Sequence, residues 1–141
     1  VEAAGAAVIV VDTNVVARFV LRGEGASLAE GILEQDASWV APPLIHSELR
    51  NVLATSMRTH RMTLEEALAA ASVAEKVLES PAQEVDTGSV LQLAKRSGCT
   101  SYDCEFVFVA LDLGVRLVTS DRQVLTAFPE TAVSPEAFVA H

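Results

Sequence analysis

Four consecutive β-branched residues, Val8-Ile9-Val10-Val11, open the patterned part of the chain. A run that is apolar on both alternating faces suits a strand covered on both sides in a parallel sheet. It stops at Asp12-Thr13-Asn14, and the spacing of Val16, Phe19 and Val20 predicts a helix directly afterwards. Gly23 and Gly25 break that helix. Ser27 to Gln35, with Leu28, Ile32 and Leu33 at helical offsets, predicts a second one. Trp39-Val40-Ala41 then forms a short strand closed by Pro42-Pro43.

Leu44 to about His60 carries Ile45, Leu49, Val52, Leu53 and Met57 on one side and predicts a long helix. Thr63-Leu64-Glu65-Glu66 has the capping-box pattern and opens a helix that runs to about Glu79, ahead of Pro81. Glu84-Val85-Asp86 is the weakest predicted strand. Thr87 to Arg96 is helical up to Gly98, and Ser101 to Leu113 is an apolar helix up to Gly114. Val115 to Thr119 predicts a strand, Arg122 to Phe128 a short helix, and Thr131-Ala132-Val133 a last strand. Strands thus alternate with helices from end to end. That order argues an α/β class protein, a three-layer sandwich with a central, mainly parallel sheet of about five strands flanked by helices. Residues 8–141 read as a single domain, and the Ala-rich stretch Val1 to Ala7 as a leader or remnant outside the fold.

Composition narrows the class. With 141 residues, half of them hydrophobic, the chain can bury a real core. Apolar runs such as Phe106 to Leu111 fall far short of the roughly 20 residues a membrane-spanning helix needs, so no membrane role is expected. Cys99 and Cys104 fit reduced thiols of a cytoplasmic protein. His46, His60 and His141 are too scattered for a zinc helix. A net charge of −9 weighs against nucleic-acid binding through a basic surface. Bound divalent cations would supply the missing positive charge locally.

Four acids stand where chemistry is usually found. In open parallel sheets, ligands bind beyond the carboxyl ends of the strands. Asp12 and Asp121 each follow a predicted strand and so share one sheet edge, although each also suits a helix N-cap. Glu48 lies within a helix, on the face it shares with Leu44, Ile45 and Val52. A carboxylate pointing that way is costly unless it is paired or bound to metal. Asp103 sits in the first turn of its helix after Thr100-Ser101, where it also favours the helix dipole. Four carboxylates in one cleft would repel one another. Mg²⁺ or Mn²⁺, which prefer oxygen ligands, would relieve that and activate a water for attack on phosphorus.

Val10-Val11-Asp12-Thr13-Asn14, His46-Ser47-Glu48-Leu49-Arg50-Asn51, Ser101-Tyr102-Asp103 and Val118-Thr119-Ser120-Asp121-Arg122 resemble, in order, the motifs of PIN-domain nucleases. The nearest subgroup is the VapC-type toxins of toxin–antitoxin pairs, and the resemblance spans about residues 8 to 135. It implies a parallel sheet flanked by helices and cleavage of single-stranded RNA with Mg²⁺ or Mn²⁺. It further implies that Asp12, Glu48, Asp103 and Asp121 are the metal-binding and catalytic residues, supported by Thr13, Asn14 and Ser120. A homodimer and a cognate antitoxin protein are the partners it implies. Phe108 departs from the pattern, being bulkier than the small residue expected there.

Basic residues gather as His46, Arg50, Arg58, His60 and Arg61 on one helix and its end, and as Arg18 and Arg22 on another. They suit solvated faces or salt bridges, or phosphate contacts. Arg50 and Arg122 lie nearest in sequence to the acids and are the candidate RNA-binding residues. Among other readings, a haloacid-dehalogenase-type phosphatase needs a second acid where Asn14 stands. A receiver domain needs a late lysine, yet the last is Lys95. An RNA-processing nuclease without a toxin role, and a non-catalytic acidic interaction module, both remain open.

Overall fold

The computed structural model describes residues 8–21, 26–35, 38–78 and 83–140. The expected leader Val1 to Ala7, the breaks at Gly23 and Gly25, Arg22, Pro81 and His141 lie outside the described residues. In chain order the elements are β1 (Val8–Val11), α1 (Thr13–Leu21), α2 (Ala26–Gln35), β2 (Ser38–Val40), α3 (Leu44–Thr59) and α4 (Leu64–Val77). They continue with α5 (Thr87–Ser97), α6 (Ser101–Leu113), β3 (Leu117–Val118), α7 (Arg122–Ala127), β4 (Ala132–Val133) and α8 (Pro135–Ala140).

Among the described residues the sheet has four strands in the order β2-β1-β3-β4. All neighbouring pairs are parallel, with Ile9 beside Trp39, Val11 beside Val118, and Val118 beside Val133. The chain leaves β1 toward β2 on one side and returns past it to β3 and β4 on the other. Because such crossovers are almost always right-handed, reversing direction puts the two sets of helices on opposite faces. Ile9, Val10 and Val11 are accordingly all buried, as a strand covered on both faces requires. Trp39 is 1% exposed and meets Phe19 of α1 edge to face, with ring centroids 5.8 Å apart. A smaller apolar cluster of Leu53, Ala67 and Ala70 joins α3 to α4 beneath Val20 and Leu21.

Local signals explain most boundaries. The capping box at Thr63 is made in full, with the Thr63 hydroxyl accepting from the Glu66 N–H and the Glu66 carboxylate accepting from the Thr63 N–H. Gly98 and Gly114 end α5 and α6 in the left-handed conformation, at φ 76° and 70°. Two expectations need correction. The segment Glu84-Val85-Asp86 is not a strand, so the sheet has four strands rather than five. Only the Gln83 N–H reaches β2's end, at Ala41 O, while Asp86 is taken up as the N-cap of α5 through the Ser89 N–H. An acid with that local option competes with ladder formation. The second correction is α8, which follows the last strand and was not foreseen. It rests on α2, with the Val139 side chain over Gly31, where an added Cβ would make ordinary contact at 3.5 Å.

Nothing lies within 4 Å of a Cβ built at Gly114, so a side chain there meets only the backbone penalty of positive φ. Gly114→Ala is expected to lower unfolding stability by about 1 kcal/mol, measured in urea, with no change at the acidic cleft.

Candidate active site

The direction reversal of the chain falls between β1 and β3, the switch point at which open α/β sheets leave a crevice beyond their strand ends. A cleft of about 460 Å³ occupies that place, and Asp12, Glu48, Asp103 and Asp121 all line it. The structure therefore brings the four sequence-predicted acids together from four different elements.

Each has an identifiable local cause. The Asp12 N–H continues the ladder by donating to Val118 O at 3.1 Å, which fixes the residue at the end of β1. Its Oδ1 accepts from the Val15 N–H at 3.0 Å, and its Oδ2 accepts from the Thr119 hydroxyl at 2.5 Å. Asp121 caps α7, with Oδ1 accepting from the Val124 N–H at 3.0 Å. Both aspartates are thus helix caps and cleft residues at once; the two readings of the sequence do not exclude each other. Capping of α6 falls instead to Thr100, whose hydroxyl accepts from the Asp103 N–H at 3.1 Å, and Asp103 itself lines the cleft. Glu48 projects from α3 between Leu44 and Val52, which line the same wall, and accepts a hydrogen bond from the Thr13 hydroxyl. The amino-terminal ends of α1 and α6 also face the cleft and set partial positive charge against its acids.

Burial dominates the electrostatics. It pushes the Asp12 carboxyl above the ordinary aspartate range, against the opposing pull of the Thr119 hydroxyl, the Val15 and Ser120 backbone and the Arg18 charge. Asp103 is raised too, by burial first and by the negative charge of Asp121, with Thr100 opposing. Glu105, one residue pair further along α6, is raised by burial and by Glu48. An all-oxygen donor set carrying surplus negative charge matches the chemistry of Mg²⁺ or Mn²⁺. As placed, no three His, Cys, Asp or Glu side chains among the described residues are grouped to hold one ion. Asp12 and Glu48 each face a threonine hydroxyl instead. A cation would thus require at least one carboxylate to shift toward the others.

Of the supporting residues, Thr13 and Asn14 line the cleft. Ser120 does not: its hydroxyl is buried with no hydrogen-bond partner, and only its backbone acts on Asp12. The residue that supports the site in its place is Thr119, 2% exposed, whose hydroxyl donates to Asp12 and accepts from the Asp121 N–H at 3.0 Å. Strand alternation was the available signal, since neighbouring residues at a strand end point to opposite faces. Arg50 stands about 200° around α3 from Glu48 and lines a groove against α4 with Leu53, Ala71 and Glu75. Arg122 is exposed at the start of α7 and is not part of the cleft lining. Closeness in sequence to Glu48 and Asp121 therefore does not bring either arginine into the cleft lining. Ser47, Asn51, Tyr102 and Phe106 line the cleft without having been singled out for it.

Residues 9–132 match the family model of the PIN domain. No curated protein matches the chain. Among solved structures it is similar to PAE2754 from Pyrobaculum aerophilum, with a TM-score of 0.76 and 21% identity over 97% of this chain and 91% of that one. At that identity the likeness speaks for the fold, and the fold is the one described above. Since the family match runs from β1 into β4 and takes in every acid of the cleft, the chain belongs to the PIN domain family.

Proposed function

We propose that the protein is a metal-dependent endoribonuclease in which Asp12, Glu48, Asp103 and Asp121 bind Mg²⁺ or Mn²⁺, and that it acts in the cytoplasm as the VapC-type toxin of a toxin–antitoxin pair. The observation that carries the enzymatic reading is the meeting of the four carboxylates in one cleft at the sheet's switch point. Membership of a nuclease family supports it. The toxin role rests on the likeness of the motifs alone, and with it the cognate antitoxin and the homodimer. Among the described residues no helix is long and apolar enough to cross a membrane.

Bound at these carboxylates, a divalent cation supplies an activated water and neutralises charge developing on the phosphate. The chain's own part is to hold the oxygens in place. Thr119 steers Asp12 and anchors the backbone of Asp121, and Thr13 steers Glu48. Hydrolysis adds the water oxygen to phosphorus, and the displaced ribose oxygen leaves with a proton. In the metal-free protein Asp12 and Asp103 hold their protons more tightly than ordinary aspartates, so cation binding must displace them.

Purified protein is expected to cleave single-stranded RNA with Mg²⁺ or Mn²⁺ and to stop in excess chelator. Asp12→Asn should lower the rate by about 100-fold or more. Full activity in that variant, or in chelator, overturns the metal-site reading. Expression without a partner should arrest growth; normal growth with an active enzyme overturns the toxin role and leaves the nuclease.

Thr119→Val removes the hydroxyl that opposes the upward shift of Asp12, so the variant should lose about 10–100-fold in metal affinity or rate. Its activity should also require a higher pH than the wild type, because metal must displace protons held more tightly. Thr119→Ser should restore both.

Stability gives an independent check. A carboxyl whose pKa is raised on folding binds more protons in the native state, so metal-free stability falls as pH rises through the raised value. Above the ordinary carboxylate range, folding must either protonate Asp12 or bury its charge, and both cost stability. Asp12→Asn should therefore raise Tm in chelator at pH near 7, with the gain shrinking as pH falls into the carboxylate range.

A further inference from the structure

We infer that Tyr102 and Asn51 form a nucleobase-binding subsite at the mouth of the acidic cleft, where an unpaired base of the RNA stacks on the tyrosine ring and presents its edge to the asparagine amide. This deepens the ribonuclease reading and rests on it.

Tyr102 is the only tyrosine of the chain, and it is 59% exposed. It stands in the first turn of α6, directly before Asp103, and its side chain belongs to the cleft lining. The core side of that helix is filled by Cys104, Phe106, Val107 and Val109, so the fold has no evident need of a tyrosine here. A large aromatic side chain left in water beside the reacting carboxylates is what single-stranded RNA recognition uses, because every base has a face to stack. Across the cleft, Asn51 follows Glu48 by one helical turn, shares its face and is exposed. Its amide offers a donor and an acceptor side by side, the pairing that adenine's edge answers. The cleft they share also has an apolar lining that includes Leu44, Val52 and Phe106.

Charge favours such a subsite. A protein at −9, with neither Arg50 nor Arg122 in the cleft lining, gains little from phosphate attraction before cations bind. Base stacking supplies affinity that does not depend on the sign of the surface.

The probe is a single-stranded oligoadenylate whose bridging 3′ oxygens are replaced by methylene groups, so that water cannot displace them, bound in Mg²⁺. Tyr102→Ala should weaken its binding by about tenfold and Tyr102→Phe by less than about twofold. An abasic oligomer of the same length should bind weakly to the wild type and lose nothing further in Tyr102→Ala. Protein grown with meta-fluorotyrosine carries one fluorinated residue, and its fluorine resonance should move with oligoadenylate but not with the abasic strand. Asn51→Ala should level a preference of oligoadenylate over oligouridylate. Exposure of Tyr102 keeps folding out of the comparison, which circular dichroism checks. Equal binding by wild type and Tyr102→Ala, or a stationary fluorine signal with RNA bound, overturns the subsite and leaves the ribonuclease reading standing. Absence of any base preference in the wild type overturns the part given to Asn51. A wild type that neither binds nor cleaves RNA overturns the ribonuclease reading itself.

Discussion

The parallel pairing of β1 with β3 is the contact on which the site depends. With Val10 beside Leu117 and Val11 beside Val118, the two strands end together, and the residues after them must occupy the same small volume. Asp12 and Thr119 meet there, and the Thr119 hydroxyl closes the junction by donating to Asp12 and accepting from the Asp121 N–H. One side chain thus couples the acid of the first strand to the acid that caps α7, although 107 residues separate Thr119 from Asp12. A slip of one residue in this register would turn Thr119 to the other face and put the orphaned Ser120 hydroxyl in its position.

Around that junction the structure uses the same groups twice. Asp12 and Asp121 satisfy backbone N–H groups that open α1 and α7, and they also line the cleft. A helix cap accepts with one carboxylate oxygen. At Asp12 the second oxygen accepts from the Thr119 hydroxyl, while at Asp121 the cap engages Oδ1. The acids have an electrostatic cost as well: burial raises Asp12, and burial with Asp121 raises Asp103. Local strain of this kind, concentrated where a cation is expected, is typical of a site selected for binding and not for stability.

The acids also show why a net charge of −9 does not exclude a nucleic-acid substrate. Surface charge measures long-range attraction, whereas the cleft combines helix amino-terminal ends, carboxylates suited to divalent cations, an exposed tyrosine and an apolar wall. Each acts over a few ångströms. The arginines nearest in sequence to the acids contribute none of this, because helical rotation turns Arg50 away toward α4 and Arg122 stands in solvent.

Much was legible in the sequence because it is written in short-range rules. The β-branched run of β1, the capping box at Thr63, the glycine stops at Gly98 and Gly114, and the helical face of Glu48 each depend on residues within a turn or two. The order of strands and helices then restricts the sheet to a parallel one, and sheet-edge logic pairs Asp12 with Asp121. What the sequence left open depends on distance in space. Whether Asp103 faces the cleft could not be read from a helix that is apolar all round, and the packing of α6 on β1, β3 and α5 decides it. Periodicity at Glu84 to Asp86 fitted a strand, yet no described strand pairs with the segment and Asp86 caps α5 instead. Asp12, Glu48, Asp103 and Asp121 could be named from the sequence as candidates; that they share one cleft was settled by the register of β1 on β3 and by the packing of α3 and α6 beside it. A chain's local preferences fix its elements, but only their packing determines which side chains meet.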